Sequence, residues 1–133
     1  MSKVLILMGS ESDRELMEEA IPVLQENGVA SEVVVCSAHR EPERTAELAR
    51  GAEARGFRVV ICGAGLSAAL PGVVAAHTRL PVIGVPLNAA LGGLDALLSV
   101  VQMPPGVPVA AVGIDNAKNA AHLAIRILRL AGT

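Results

Sequence analysis

The chain has 133 residues, 52% of them hydrophobic and 18% charged, and a formal net charge of −2. This composition excludes an intrinsically disordered segment. It also argues against an electrostatic nucleic-acid binder, which needs a basic surface. Phe57 is the only aromatic residue, so stacking of bases on aromatic side chains is unavailable. The length favours a single domain over residues 1–133, and so high an apolar fraction predicts buried subunit interfaces and therefore a homo-oligomer.

Apolar runs and helical patterns alternate along the chain. In chain order they predict strand 3–8, helix 12–28, strand 31–36, helix 42–55, strand 58–62, helix 67–77, strand 81–85, helix 92–102, a strand within 107–114 and helix 116–131. Ser12 and Glu15 are spaced as a capping box for the first helix. Pro42 suits the first position of the second helix.

These elements make five strand–helix units whose strands are almost continuously apolar. Such strands are typical of a parallel sheet that helices cover on both faces. Right-handed crossovers then predict a doubly wound, three-layer α/β/α sandwich. With five strands, the flavodoxin-like order 2-1-3-4-5 is the leading prediction.

The cysteines and the uncharged stretches bear on the cellular setting. Cys36 and Cys62 are too few for a disulfide framework and are not spaced as metal ligands, so we predict small buried residues and a reducing, cytoplasmic location. The N-terminus lacks a signal-peptide pattern. Stretches 59–76, 80–94 and 96–114 carry no charge, but Gly or Pro interrupts each of them. We therefore expect no membrane-spanning segment.

Polar residues are scarce but gather after the first three predicted strands. In an open α/β sheet, ligands bind beyond the carboxyl ends of the strands, where the strand order reverses. After strand 1, the small hydroxyls of Ser10 and Ser12 could cradle a phosphate and Asp13 could bind sugar hydroxyls. After strand 2, His39 could move a proton near neutral pH, and Arg40 suits a phosphate or carboxylate. His77 and His122 fall within helical patterns and are assigned no chemical role.

Three other site types fit the residues poorly. Gly63-x-Gly65-x-x-Ala68 follows a strand like a dinucleotide fingerprint, but it follows the third strand and lacks the later acidic residue. No Gly-Lys-Ser/Thr motif for a P-loop occurs. A receiver-type signalling domain would need an acidic residue after strand 3 and a lysine after strand 5, where this chain has Gly63 and Asp115.

Six motifs in order carry a family resemblance. They are Met8-Gly9-Ser10-Glu11-Ser12-Asp13, Ser37-Ala38-His39-Arg40-Glu41-Pro42, Gly63-Ala64-Gly65 through Leu70-Pro71-Gly72, Pro81-Val82-Ile83-Gly84-Val85-Pro86, Gly93-Leu94-Asp95 and Gln102-Met103-Pro104. The set resembles the family of N5-carboxyaminoimidazole ribonucleotide mutases and phosphoribosylaminoimidazole carboxylase catalytic subunits of purine biosynthesis, and it covers nearly the whole chain.

The resemblance implies a flavodoxin-like fold, a homo-octamer, a ribonucleotide substrate and no metal or organic cofactor. It implies that the enzyme moves a carboxylate from the exocyclic amine to the imidazole ring carbon, with His39 as general acid and base. The Gly9–Asp13 loop would hold the ribose phosphate, and the 63–72 loop would close over the carboxylate with backbone N–H groups. The implied substrate-binding residues are Gly9, Ser10, Ser12, Asp13, Ser37, Ala38, Arg40, Gly63, Ala64, Gly65, Ser67 and Leu70.

The third loop departs from the family pattern. Ala69 stands where the mutases usually have a histidine, and Ser67 matches a related class that carboxylates aminoimidazole ribonucleotide directly with carbon dioxide. Arg40 and Gln102-Met103-Pro104 favour the mutase, which is the leading interpretation, with the direct carboxylase as the alternative. A nucleotide-binding module without catalysis stays open as well. Asn88, Asp95, Lys118 and Asn119 are left without an assigned role, either at the site or at a subunit interface.

Overall fold

The apolar runs form one five-stranded parallel sheet in the computed structural model, which describes residues 3–132. The strands are β1 (Lys3–Met8), β2 (Ala30–Val35), β3 (Phe57–Ala64), β4 (Val82–Pro86) and β5 (Ala110–Ala111). Their order is β2-β1-β3-β4-β5, and every neighbouring pair is parallel. The predicted flavodoxin-like order is therefore confirmed.

Helices cover both faces of the sheet because alternate strand residues point to opposite sides. The helices are α1 (Arg14–Met17), α2 (Ala20–Glu26), α3 (Pro42–Gly51), α4 (Leu70–His77), α5 (Leu94–Val101) and α6 (Ala117–Leu130). Val4 and Ile6 of β1 pack with α1, α2 and α6, whereas Leu5 and Leu7 pack with α3, α4 and α5. The three-layer sandwich is confirmed. None of the helices found between residues 3 and 132 is both long and apolar enough to cross a membrane.

The first predicted helix, 12–28, is divided in the structure. A 3-10 turn covers Glu11–Asp13, and α1 and α2 are separated at Glu18 and Glu19. Pro22 explains the break, because proline has no N–H to donate to the carbonyl of residue 18 and its ring crowds that carbonyl. The predicted Ser12–Glu15 capping box is wrong, since Ser10 caps the 3-10 turn and accepts a hydrogen bond from the Ser12 N–H at 3.3 Å.

Two further helices begin later than predicted, because the residues before them have left-handed backbone conformations. Ser67 and Ala68 have φ values of 55° and 34°, so α4 begins at Leu70 instead of residue 67. Gly92 and Gly93 have φ values of 66° and 85°, so α5 begins at Leu94. Positive φ cannot continue a right-handed helix.

The fifth strand is much shorter than the apolar run that predicted it. Only Ala110 and Ala111 pair with β4, opposite Ile83 and Gly84. Pro108 removes a backbone donor at the start of this run. β5 is also an edge strand, so only one side of it is hydrogen-bonded within the sheet.

The register of the central strands positions the loops that follow them. Met8, at the end of β1, lies between Val35 of β2 and Gly63 of β3. The loops after these three strands therefore leave the sheet at one edge, where the strand order reverses.

Candidate active site

A cavity of about 400 Å³ opens at this edge of the sheet. It is lined by residues from the loops after β1, β2, β3 and β4, namely Gly9, Ser10, Ser12, Asp13, Ser37, Ala38, His39, Arg40, Ala64, Gly65, Leu66, Ala69, Leu70 and Ala89. This volume lies within the range of small-molecule sites, ~300–1,000 Å³. Of the predicted site residues, only Gly63 and Ser67 are not among the lining residues.

The loop after β1 brings two hydroxyls and a carboxylate to one side of the cavity. The Oγ atoms of Ser10 and Ser12 lie 2.9 Å apart, within hydrogen-bond distance. The Asp13 N–H donates to the Ser10 carbonyl at 3.0 Å, which closes the turn. Three oxygen-bearing side chains of this turn thus line the cavity, a donor and acceptor set that suits phosphate and sugar hydroxyls.

Burial raises the pKa of the Asp13 carboxyl above its usual value, although a hydrogen bond from the Ser10 backbone opposes the shift. The neighbouring Glu11 carboxylate is instead paired with Arg14, and the hydrogen bond from that guanidinium lowers the Glu11 pKa. Arg14 also bonds Glu18 at 3.2 Å. Arg14 is therefore paired with Glu11 and Glu18, and the Asp13 carboxylate, which lines the cavity, forms no ion pair with it in residues 3–132.

The loop after β2 supplies the basic side of the cavity. The Glu41 N–H donates to the Ser37 carbonyl at 2.8 Å and the Arg40 N–H to Ser37 Oγ at 3.2 Å, so Ser37 organises the turn that carries His39 and Arg40. Both of these side chains are exposed. Within residues 3–132, Arg40 has no carboxylate within ion-pair distance, whereas Arg44 pairs with Glu41. Arg40 is thus the free cation at the cavity.

The loops after β3 and β4 form the apolar side. Leu66, Ala69 and Ala89 line the cavity in addition to the predicted residues. A Cβ placed on Gly65 would lie only 2.8 Å from Ala89 Cβ, so the two loops touch at this point. Leu66 and Ala69 lie within the 63–72 motif and could have been included on sequence grounds. Ala89 had no such signal, because it comes from a different strand end.

The two predicted residues that do not line the cavity have other surroundings. Gly63 is buried beneath Met17, whose Sδ would lie 2.4 Å from a Cβ at that position. Ser67 lines a second cavity of about 380 Å³ with His77 and Met103. Ala69 belongs to both cavities, so they adjoin at the position where the mutases usually carry a histidine.

Both thiols are buried, as predicted, and free. Cys36 Sγ lies 2.9 Å from Thr45 Oγ1. Burial raises the pKa of the Cys62 thiol far above its usual value, so this sulfur stays protonated. A thiol acts as a nucleophile only as thiolate, and Cys62 therefore has a packing role.

The four residues left without a role do not line the main cavity. Asn88 precedes the lining residue Ala89, and Asn119 lies on a separate cleft with His122 and Arg126. Lys118 is exposed on α6. Asp95 Oδ1 is buried and has no hydrogen-bond partner in the described part of the chain. In that same part, no three His, Cys, Asp or Glu side chains come together as metal ligands would.

The chain is therefore a doubly wound α/β protein with a cavity of small-molecule size where the strand order of its sheet reverses. Residues 3–133 match the model of the family described as AIR carboxylase. The N5-carboxyaminoimidazole ribonucleotide mutase of Pyrococcus abyssi is 61% identical over 131 residues, covering 98% of this chain and 75% of that protein. The phosphoribosylaminoimidazole carboxylase of Schizosaccharomyces pombe is 55% identical, but the match covers 22% of that protein.

Solved structures agree with the sequence comparisons. The crystal structure of Treponema denticola PurE superposes with a TM-score of 0.87 at 34% identity, covering 98% of this chain and 82% of that one. This chain belongs to the AIR carboxylase family.

Proposed function

We propose that this chain is an N5-carboxyaminoimidazole ribonucleotide mutase of purine biosynthesis, as the name of its Pyrococcus relative indicates. The observation that carries the proposal is the composition of one cavity, which Ser10, Ser12 and Asp13 line together with His39 and Arg40. This combination of phosphate-binding, sugar-binding and proton-transferring groups matches a substrate that is a carboxylated ribonucleotide.

The substrate is oriented by the two polar loops. The hydroxyls of Ser10 and Ser12 bind the ribose phosphate, and the Asp13 carboxylate accepts hydrogen bonds from the ribose hydroxyls. Arg40 is the cation that faces the migrating carboxylate, since it has no acidic partner among the described residues. Fixing both ends of the substrate holds the imidazole ring beside His39, which lowers the entropic part of the barrier.

His39 moves one proton in each direction. Its protonated ring donates a proton to the exocyclic nitrogen, the N–C bond to the carboxylate breaks, and carbon dioxide and a neutral amine form. The ring carbon then attacks carbon dioxide and forms a C–C bond. Neutral His39 removes the proton from that ring carbon. This step restores the aromaticity of the substrate ring and returns His39 to its starting, protonated state. No proton is gained or lost overall.

The apolar side of the cavity suits the carbon dioxide intermediate. Leu66, Ala69, Leu70 and Ala89 offer no hydrogen-bonding side chain there. A dry surface keeps water away from the reacting atoms and holds a small neutral molecule near the ring. We propose that this surface, with the backbone N–H groups of the 65–69 loop, retains carbon dioxide between the two steps.

A direct carboxylase that takes carbon dioxide from solution is the second candidate. It is favoured by two residues of the third loop: Ala69, which lines the cavity where the mutases usually have a histidine, and Ser67, which matches the carboxylase class. Arg40 and the overall identity to the Pyrococcus mutase favour the first candidate.

We propose further that the protein works as a homo-octamer in the cytoplasm. The proposal is supported by an exposed apolar face of α5 and the turn before it, which carries Leu91, Leu94, Leu98 and Val101. Leucines at this spacing project from one side of a helix. Water contact with such a face is unfavourable, so a second copy of the chain is the partner that this family resemblance implies.

The test is a paired assay on the purified protein without added metal. One reaction contains N5-carboxyaminoimidazole ribonucleotide without bicarbonate. The other contains aminoimidazole ribonucleotide with bicarbonate at a concentration where spontaneous N-carboxylation is slow. We expect rapid formation of 4-carboxy-5-aminoimidazole ribonucleotide in the first reaction alone.

Each of the other outcomes of this assay indicates a different activity. Product in the second reaction alone would identify a direct carboxylase, and Ser67 would then be the residue to replace first. Product in neither reaction, from protein that is folded by circular dichroism and still binds aminoimidazole ribonucleotide, would indicate a nucleotide-binding module without catalysis.

A further inference from the structure

Ala89, in the segment that follows β4, forms part of one side of the cavity. Asn88 and Ala89 follow β4, and we call them the β4 wall. Ala89 lines the cavity and lies against Gly65, whose backbone also lines it. The β4 wall therefore limits where the β3–α4 loop can lie, and with it the backbone N–H groups that we propose for binding the substrate carboxylate.

The β4 wall is held from two sides. Immediately before it, the Leu87 N–H donates to the Ala64 carbonyl at 2.9 Å. Within it, the Asn88 N–H donates to Asp115 Oδ1 at 2.9 Å. Asp115 lies in the loop between β5 and α6, and its own N–H donates to the Pro86 carbonyl at 2.8 Å. A residue 27 positions further along the chain thus clamps both ends of the turn after β4.

The backbone of Asp115 is adapted to this clamp. Its φ value is 60°, which is in the left-handed region. Asp and Asn enter this region more readily than other residues with a side chain. The left-handed turn lets one residue present its N–H to Pro86 and its carboxylate to Asn88. An ionised acceptor makes a stronger bond to a backbone N–H than a neutral one does.

We infer that Asp115 is a positioning residue of the active site, which acts through its hydrogen bond to Asn88 and does not itself contact the substrate. The kinetic part of this inference rests on the proposed function. Without the bond, the β4 wall loses one of its two anchors, and Ala89 no longer confines Gly65 and its loop. A misplacement of about 1 Å is enough to slow a reaction strongly.

The test uses two variants at the same position. Asp115→Gly keeps the left-handed backbone and removes the acceptor, and Asp115→Asn keeps both. We expect Asp115→Gly to lower kcat/KM for N5-carboxyaminoimidazole ribonucleotide by about tenfold or more. We expect Asp115→Asn to stay within about threefold of the wild type. Amide hydrogen exchange at Asn88 should accelerate by about tenfold in the Gly variant and be largely restored in the Asn variant.

The matched control is Asn116→Ala. Asn116 is the neighbouring residue, and its side chain makes a comparable bond, accepting from the Asn119 N–H at 3.0 Å at the start of α6. This variant should accelerate exchange at Asn119 but leave exchange at Asn88 and kcat/KM unchanged. It separates a general loosening of the β5–α6 loop from loss of the clamp.

Several results would overturn the inference. A lower melting temperature of Asp115→Gly with unchanged kcat/KM, measured well below melting, would leave Asp115 a purely structural residue. Equal losses in the Gly and Asn variants would show that the acceptor is not what matters. If the wild type shows no turnover, the proposed function fails separately. Amide exchange at Asn88 then tests the hydrogen bond from Asn88 to Asp115 without any activity measurement. An unchanged exchange rate in Asp115→Gly would disprove the role of this bond.

Discussion

Asp13 illustrates the conflict between binding and stability at a single residue. Burial raises the pKa of its carboxyl, so the charged form is less favourable in the folded protein than in the unfolded chain. At pH 7 the carboxylate therefore destabilises the fold, while its proposed role requires it to accept hydrogen bonds from ribose.

We expect Asp13→Asn to raise the melting temperature at pH 7, on the order of 1 °C, and to raise KM about tenfold. The penalty on the wild type is present above the raised pKa of the folded state. It declines as pH falls through that value and is absent below the ordinary value of 3.8. Calorimetry of both proteins from pH 7 to pH 3 checks the sign. A variant that is less stable at pH 7 would contradict the argument.

His39 differs from Asp13, because replacing it is expected to affect turnover and not stability. Asparagine has a similar size to histidine and can also form hydrogen bonds, but it cannot exchange protons near neutral pH. We expect His39→Asn to lower kcat by about 10²–10⁴-fold, the usual contribution of general acid–base catalysis, with KM changed only a few fold. Steady-state kinetics measures both constants.

The control is His122→Asn, because His122 is an exposed histidine on the separate cleft of α6. It should leave kcat and KM unchanged. Full activity of His39→Asn would remove His39 from the mechanism and leave a binding role for the β2 loop.

At the scale of elements, the contact between β3 and α1 links the core to the cavity. A Cβ at Gly63 would meet Sδ, Cε and Cγ of Met17 at 2.4, 2.9 and 3.0 Å. Met17 is fully buried, so its side chain has little free space into which to move. α1 follows directly after Asp13, and a shift of this helix would therefore move the β1 loop.

We expect Gly63→Ala to lower the free energy of unfolding by about 1–3 kcal/mol, a typical cost of overpacking, and to raise KM as well. Gly51→Ala is the matched control. Gly51 lies in α3 with nothing within 4 Å of the added Cβ, and alanine is the better helix former, so a gain of about 0.5 kcal/mol is expected. Urea denaturation and KM measurements test both. Loss of stability with unchanged KM would show that α1 does not transmit the shift.

At the scale of the whole molecule, the exposed apolar face of α5 determines the proposed assembly. Leu94 is 55% exposed and Leu98 is 48% exposed, which is unusual for neighbouring leucines on one helix. Burying such a face between copies removes apolar surface from water without changing the fold of the chain.

We expect the wild type to elute with a mass eight times the chain mass of 13.6 kDa in light scattering coupled to gel filtration. Leu98→Glu should give a smaller species, because a buried unpaired carboxylate is costly. The control, Leu130→Glu, makes the same substitution at a leucine that is 91% exposed at the end of α6, and should keep the wild-type mass. Identical masses for the wild type and Leu98→Glu would exclude this face as an interface.

Much of the site followed from local patterns. The loops after β1 and β2 were predicted because polar residues stood out in an apolar chain and because parallel strands bring their carboxyl ends to one edge. Ser10, Asp13, His39 and Arg40 line the cavity for that reason. Ser67 was predicted beside them and lies on the adjoining cavity, because its left-handed backbone turns the loop there.

The sequence was enough to predict the strand order and the two polar loops, since the apolar periodicity marks the strands and helices and their crossovers follow one hand. It also determined, through Pro42, where α3 begins. The break that Pro22 makes in the first helix is also a local backbone effect, which the apolar periodicity of residues 12–28 did not take into account. Two contacts depended on the folded chain: Ala89 completes the cavity, and Asp115 accepts a hydrogen bond from the Asn88 N–H. Both contacts join residues from separate strand–helix units, and they exist only once the sheet has brought those units together.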